Sequence, residues 1–212
     1  MIIFDVDGTL LGGESADWAS FAAAFKEAAG FALAPAFFET HEEVTTQAII
    51  HQAFTNHSIE EKKAIESAVR CGYLKRLSEA HQSDPLTFSP TTGSISLLQD
   101  LKRKKIPVAI ATGDWLETIT FKLTAARIAF QDLPMATSSD RYSRADIIAL
   151  AAMKAGASLD EAIYVGDGTW DFRAAKKLGI PFIGVGSRPR NCAKPARNTF
   201  CPTSPPKPFG TR

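Results

Sequence analysis

Four short, uninterrupted apolar runs, each stopped by a turn or a polar cluster, limit the folds open to this chain. They are Ile2-Ile3-Phe4 before Asp5, Val108-Ala109-Ile110-Ala111 before Thr112-Gly113, Ala162-Ile163-Tyr164-Val165 before Gly166-Asp167-Gly168, and Phe182-Ile183-Gly184-Val185 before Gly186. A strand with one wet face alternates apolar and polar residues, so continuous runs of this length fit strands covered on both faces by helices. The helices are present between them. Ile95, Leu97, Leu98 and Leu101 form one apolar stripe, ending in the basic run Lys102 to Lys105 that suits a helix C-terminus. Ile147, Ile148, Ala151 and Ala152 form a second, and Asp171 to Leu178 a third, closed by Gly179. Strands alternating with helices specify an α/β fold with a doubly wound parallel sheet, whose ligands bind beyond the carboxyl ends of the strands.

Residues 13–85 behave differently. They offer no strand pattern but several helical stripes: Trp18, Phe21, Ala22, Phe25; Ile49, Ile50, Ala53, Phe54; and Ile65, Val69, Tyr73, Leu77. The expected organisation is therefore an α/β core of residues 1–12 and 86–187 with an all-helical cap, 13–85, inserted after the first strand. Gly12-Gly13 and Ser83-Asp84-Pro85 are its expected hinges.

The polar residues with chemical potential sit at the strand ends. Asp5 and Asp7 place two carboxylates in one small volume, whether the strand continues or turns. Phosphoryl transfer uses such a pair, one to attack phosphorus and one to handle the leaving-group proton. Asp167 and Asp171 add oxygen donors suited to a hard octahedral cation such as Mg2+. Thr112 and Gly113 offer a hydroxyl and a backbone amide to phosphate oxygens, and Arg144, at a helix start, offers a fixed positive charge. Each piece also has a plainer reading. Asp-Gly is a common turn, and Asp167 or Asp171 can cap the helix that follows.

In this order these motifs resemble the haloacid dehalogenase superfamily. Asp5-Val6-Asp7-Gly8-Thr9-Leu10 is similar to that family's nucleophile loop, Thr112-Gly113 to its second motif, and Gly166-Asp167-Gly168-Thr169-Trp170-Asp171 to its fourth. The third motif is usually Lys. Here Ser143-Arg144-Ala145-Asp146 stands in its place, and Lys122 is a rival for the charge. The resemblance implies a Rossmann-like core and a phosphatase that works through an aspartyl-phosphate. Asp5 is then the nucleophile and Asp7 the general acid and base. Thr112, Gly113 and Arg144 bind phosphate, and Mg2+ is held by Asp5, the Asp7 carbonyl and Asp167, with Asp171 as ligand or orienter. Asp7 favours phosphate over halide as leaving chemistry, because halide needs no proton on departure. A helical cap after the first motif resembles the phosphoglycolate-phosphatase and β-phosphoglucomutase branch, so the expected substrate is a small phosphate ester, phosphoglycolate-like. A phosphotransferase of the mutase type and an inactive remnant acting as an interaction protein are the alternatives.

Residues near these motifs are given plainer roles. Trp18 is expected in the cap core, and Thr45-Thr46 and His51 as helix-start and surface residues. Trp115 and Trp170 either wall the pocket or pack against the core. From residue 188 the character changes to a Pro-rich tail, 188–212. Codons for Pro189 onward can be reread one nucleotide out of register to give a helix, a Gly stop and a short strand, so a frameshifted ending is the expectation there. A net charge of +1 gives no case for nucleic acid, and no apolar run approaches a membrane span. Three cysteines, Cys71, Cys192 and Cys201, form neither a metal site nor a disulfide framework, and a cytoplasmic setting is expected.

Overall fold

A computed structural model describes residues 1–34, 37 and 41–186. The tail expectations, Cys192 and Cys201 included, lie outside these residues. Five strands form one parallel sheet: β1 (Ile2–Phe4), β2 (Val108–Ala111), β3 (Met135–Ala136), β4 (Ile163–Gly166) and β5 (Phe182–Gly184), in the order β3-β2-β1-β4-β5. β1 is central, with Ile2 opposite both Val108 and Ile163. The chain leaves β1 toward one edge and later returns to the other side of it. The crevice at that reversal, where ligands bind in such sheets, therefore opens at the residue after Phe4.

Alternation along β1 sends Ile3 and Phe4 to opposite faces, and each joins its own core. Ile3 packs with Ile147, Ile148, Ala151 and Ala175 from α6 (Arg144–Lys154) and α7 (Thr169–Leu178). Phe4 packs with Leu101, Ile119 and Leu123 from α4 (Ser94–Arg103) and α5 (Leu116–Ala125). All of these side chains are at most 6% exposed, and burial of each Ile, Leu or Phe among them stabilises the fold by about 1.5–3 kcal/mol before chain entropy is counted. The continuous apolar runs are explained by these two cores.

Between β1 and β2 lie α1 (Glu14–Ala29), α2 (Thr46–Ala53) and α3 (Ile59–Ser83), with no strand among the described residues of this stretch. α3 begins at a capping box: the Ser58 N–H donates to Glu61 Oε2 at 2.7 Å and the Glu61 N–H to Ser58 Oγ at 3.2 Å. Phe21, Phe25, Ile50, Val69, Tyr73 and Leu77 form the core of these helices, and Trp115 from the α/β part enters it, fully buried. Trp18 is 42% exposed, in contrast to the expected core position. It lies on the edge of the α1 stripe, its ring tilted against Phe21 at 6.0 Å between centroids. The chain crosses between the two parts twice, and the crossings are tied together. Gly12 N–H donates to the Ser89 carbonyl at 2.9 Å and Thr91 N–H to the Leu10 carbonyl at 2.9 Å.

Candidate active site

β1 ends at Phe4, but the Asp5 N–H still donates to the Val165 carbonyl at 2.8 Å, so Asp5 sits where the central strand meets the crevice. The chain then turns. Gly8 adopts φ +76°, and a Cβ there would come within 2.5 Å of the Asp167 carboxyl carbon, so a glycine is required for this turn to pass beside the β4 loop. Asp5 and Asp7 straddle the turn and acquire different surroundings.

Asp5 is 3% exposed and faces Asp167 and Asp171, one carboxylate oxygen of each lying within 4.8 Å of the others. Arg144 Nη1 donates to Asp5 Oδ1 at 2.9 Å and lies 3.6 Å from Asp171 Oδ1. Asp171 is fixed in turn, accepting from the Tyr164 hydroxyl at 3.0 Å and from the Gly168 N–H at 2.8 Å. The capping role and the cluster role thus coincide in Asp171. Burial, followed by the charge of Asp171, holds the Asp5 carboxyl well above its ordinary range, although Arg144 pulls the other way. One guanidinium does not balance three clustered carboxylates. That surplus of negative charge, on oxygen donors, fits a hard divalent cation such as Mg2+. Arg144 Nε is buried with no hydrogen-bond partner.

Asp7 belongs to a second cluster. Lys122 Nζ donates to both of its carboxylate oxygens at 2.8 Å and to Asp17 Oδ1 at 2.7 Å, and lies 2.8 Å from Asp114 Oδ2. The Tyr73 hydroxyl donates to Asp17. Burial raises the Asp7 carboxyl from about 3.8 to about 7, with Lys122 lowering it and Asp17 and Asp114 raising it. The three carboxylates raise the Lys122 ammonium well above its ordinary value, outweighing burial, which acts in the opposite direction.

Thr112 follows β2 directly and is buried, its hydroxyl accepting from the Asp114 N–H at 3.2 Å. Gly113 lies so close to Arg144 that a Cβ would come within 2.6 Å of Nη2. Its carbonyl accepts from the Thr46 N–H at 2.8 Å. Thr45 and Thr46 open α2 as expected, with Thr45 as N-cap, but they are not surface residues. Thr45 is fully buried and donates to the Tyr142 carbonyl at 2.9 Å, while Thr46 Oγ1 meets Ser138 Oγ at 3.1 Å. The inserted helices therefore rest on the α/β part at the second motif. The Arg144 N–H also donates to Glu43 Oε2 at 2.8 Å. Trp115 packs in the helical core rather than lining open space, its Nε1 donating to Glu66 at 3.1 Å beneath the Arg70 guanidinium. His51 lies 3.6 Å from Glu66, and half-buried Trp170 flanks Gly168.

Arg144 and Lys122, rivals on charge alone, are separated by the fold: the first meets Asp5, the second Asp7. Sequence reasoning did not assign Asp17, Asp114, Tyr73 or Glu43 to the site. A signal existed for Lys122. It sits with Ile119, Leu123 and Ala126 on the i, i+3, i+4, i+7 face that α5 buries, where a lysine is costly without partners.

A doubly wound parallel sheet with an acidic centre at the end of its middle strand, closed over by an insertion, defines a class of capped α/β enzymes. Within that class the family model for haloacid dehalogenase-like hydrolases matches residues 2–185, and the chain belongs to that family. Solved structures share the fold. One is a hydrolase from Pseudomonas syringae, with 23% identity over 86% of this chain and 83% of that one and a TM-score of 0.70. Another is CbbY from Rhodobacter sphaeroides in complex with phosphate, with 20% identity over 94% and 92% and a TM-score of 0.70. A third is β-phosphoglucomutase from Clostridium difficile, with 19% identity over 88% and 84% and a TM-score of 0.69. No curated protein sequence matches the chain. Among the described residues, no helix is long and apolar enough to cross a membrane.

Proposed function

We propose that this protein is a Mg2+-dependent phosphomonoester hydrolase acting through an aspartyl-phosphate on a small phosphorylated metabolite of the phosphoglycolate class, in the cytoplasm. The observation that carries the reading is the unequal treatment of two carboxylates on one turn. Asp5 sits with Arg144 and two further carboxylates, while Asp7, two residues on, has a carboxyl poised at about 7. One group is placed to attack and the other to exchange a proton near neutrality.

In this reading a carboxylate oxygen of Asp5 attacks phosphorus as the ester P–O bond breaks, and the Asp7 carboxyl gives its proton to the departing oxygen. Asp7, now ionised, takes a proton from the water that attacks the phosphoenzyme. The P–O bond to Asp5 breaks, and phosphate leaves with Asp5 regenerated. Arg144, the Thr112 hydroxyl and the Gly113 N–H hold the non-bridging oxygens, with Arg144 kept in place by Asp171. Asp5, the Asp7 carbonyl and Asp167 would hold Mg2+, with Asp171 beside them as ligand or orienter. When bound, the ion offsets the charge of the carboxylates and the phosphoryl group.

A panel of phosphate esters assayed with and without Mg2+, beside Asp5→Asn, tests the reading. Turnover that survives both changes contradicts it, and a folded protein without turnover points to an inactive interaction protein. A phosphotransferase of the mutase kind shares every step up to the phosphoenzyme. It is favoured by the reach of the inserted segment to Gly113 through Thr46 and to Arg144 through Glu43, contacts suited to excluding water. Release of free phosphate rather than an isomerised phosphosugar decides against it.

A further inference from the structure

Lys122 has no part in the chemistry above, yet it makes the densest polar contacts beside it. Its side chain is fully buried, and its ammonium meets Asp7, Asp17 and Asp114 at 2.7–2.8 Å, with the Tyr73 hydroxyl at 3.5 Å. These partners come from four separate places: the nucleophile loop, α1, the loop after β2, and α3. Burying an ion group costs several kcal/mol per charge, and apolar residues of similar size commonly stabilise a core as well or better. Stability alone is a poor reason for such a cluster. Its geometry does something apolar packing does not. Both oxygens of Asp7 are held at 2.8 Å, which fixes the carboxyl's position and plane, and the same nitrogen holds Asp17 of the inserted helix α1.

We propose that Lys122 is a positioning residue for Asp7, and that through Asp17 it makes the placement of Asp7 depend on the docking of the inserted helices. The inference rests on the reading of Asp7 as the leaving-group acid. It gives the insertion a role besides covering the site: when α1 swings away, Lys122 loses one of its anchors and Asp7 its fixed geometry. The substrates affected are those whose leaving oxygen needs a proton, the alkyl phosphates. Aryl phosphates with an acidic phenol depart without one.

The test compares kcat/KM for an alkyl phosphate, glycerol phosphate, with that for p-nitrophenyl phosphate, in the full chain with Mg2+. Lys122→Met is expected to lose about tenfold or more beyond its loss on the aryl ester, and Lys122→Arg to recover part of the difference. Because Lys122→Met leaves three carboxylates without their cation, Asp17→Asn carries the same test in a milder form. It keeps Lys122 and the side-chain size, and is expected to show a smaller selective loss in the same direction. Asp7→Asn is the reference. A selective loss for Asp7→Asn with equal losses on both substrates for the Lys122 and Asp17 variants overturns the inference and leaves Asp7's role intact. Equal losses for Asp7→Asn overturn the reading of Asp7 and the inference with it.

Discussion

The carboxyls of Asp5 and Asp7 are separated by a single residue, and their neighbours set them apart. With Arg144 2.9 Å away and an acidic cluster around it, Asp5 fits the proposed role of nucleophile once the surplus charge is offset. Asp5→Asn is expected to lower kcat by about a thousandfold or more, with the fold retained by circular dichroism. Asp7 should announce itself in the pH profile. In the proposed mechanism its protonated form donates to the leaving group, so kcat/KM on alkyl phosphates is expected to fall as pH rises through about 7, and an Asp7→Asn profile should lack that limb. Arg144 differs from the lysine the family motif usually carries. Its planar fork suits two phosphate oxygens at once, and Arg144→Ala should cost about a hundredfold in kcat/KM, with Arg144→Lys intermediate.

At the scale of elements, the loop after β2 and the start of α2 hold each other. Gly113 accepts from Thr46 on one side and leaves room for the Arg144 guanidinium on the other. A methyl group at Gly113 would meet Nη2 at 2.6 Å and the Thr45 Cα at 3.3 Å, so Gly113→Ala is expected to displace the arginine, lift the insertion, and cut kcat/KM by about a hundredfold. Fluorescence of Trp115, buried between the two parts, reports whether the contact has loosened. The strands flanking β1 were legible because continuous apolar runs and Gly-rich stops are local signals. β3 was not: Met135–Ala136 is two residues long, and its place is set by pairing with Ile110 and Ala111 rather than by its own pattern. Asp5, Asp167 and Asp171 stood out as a motif. Asp17 did not, because only tertiary packing brings it within 2.7 Å of Lys122, 105 residues away in sequence. Trp18 misled for a related reason, since a helical stripe has an edge as well as a centre.

For the whole molecule, the charges assigned a role in the proposed chemistry weaken the fold. Asp5 and Asp7 both have carboxyls raised above their ordinary values, Asp7 from 3.8 to about 7. For Asp7, between those values the folded chain holds more protons than the unfolded one, so its stabilising contribution is present in acid and lost as pH rises through about 7, and the raised Asp5 carboxyl acts in the same direction. Metal-free protein is therefore expected to melt a few degrees higher at pH 5 than at pH 8 in matched scans. Mg2+ should narrow that gap by stabilising the folded form at pH 8, and Asp5→Asn should narrow it without metal. A gap of the opposite sign contradicts the charge accounting. Carboxylates buried together are costly in the resting protein, and in the proposed function substrate and metal would supply the compensating charge.

Mass spectrometry of enzyme quenched in acid during turnover shows directly whether Asp5 carries the phosphoryl group. One added phosphoryl mass is expected on the peptide containing Asp5, absent in Asp5→Asn. Steady turnover with that mass on another residue, or on none, would contradict it.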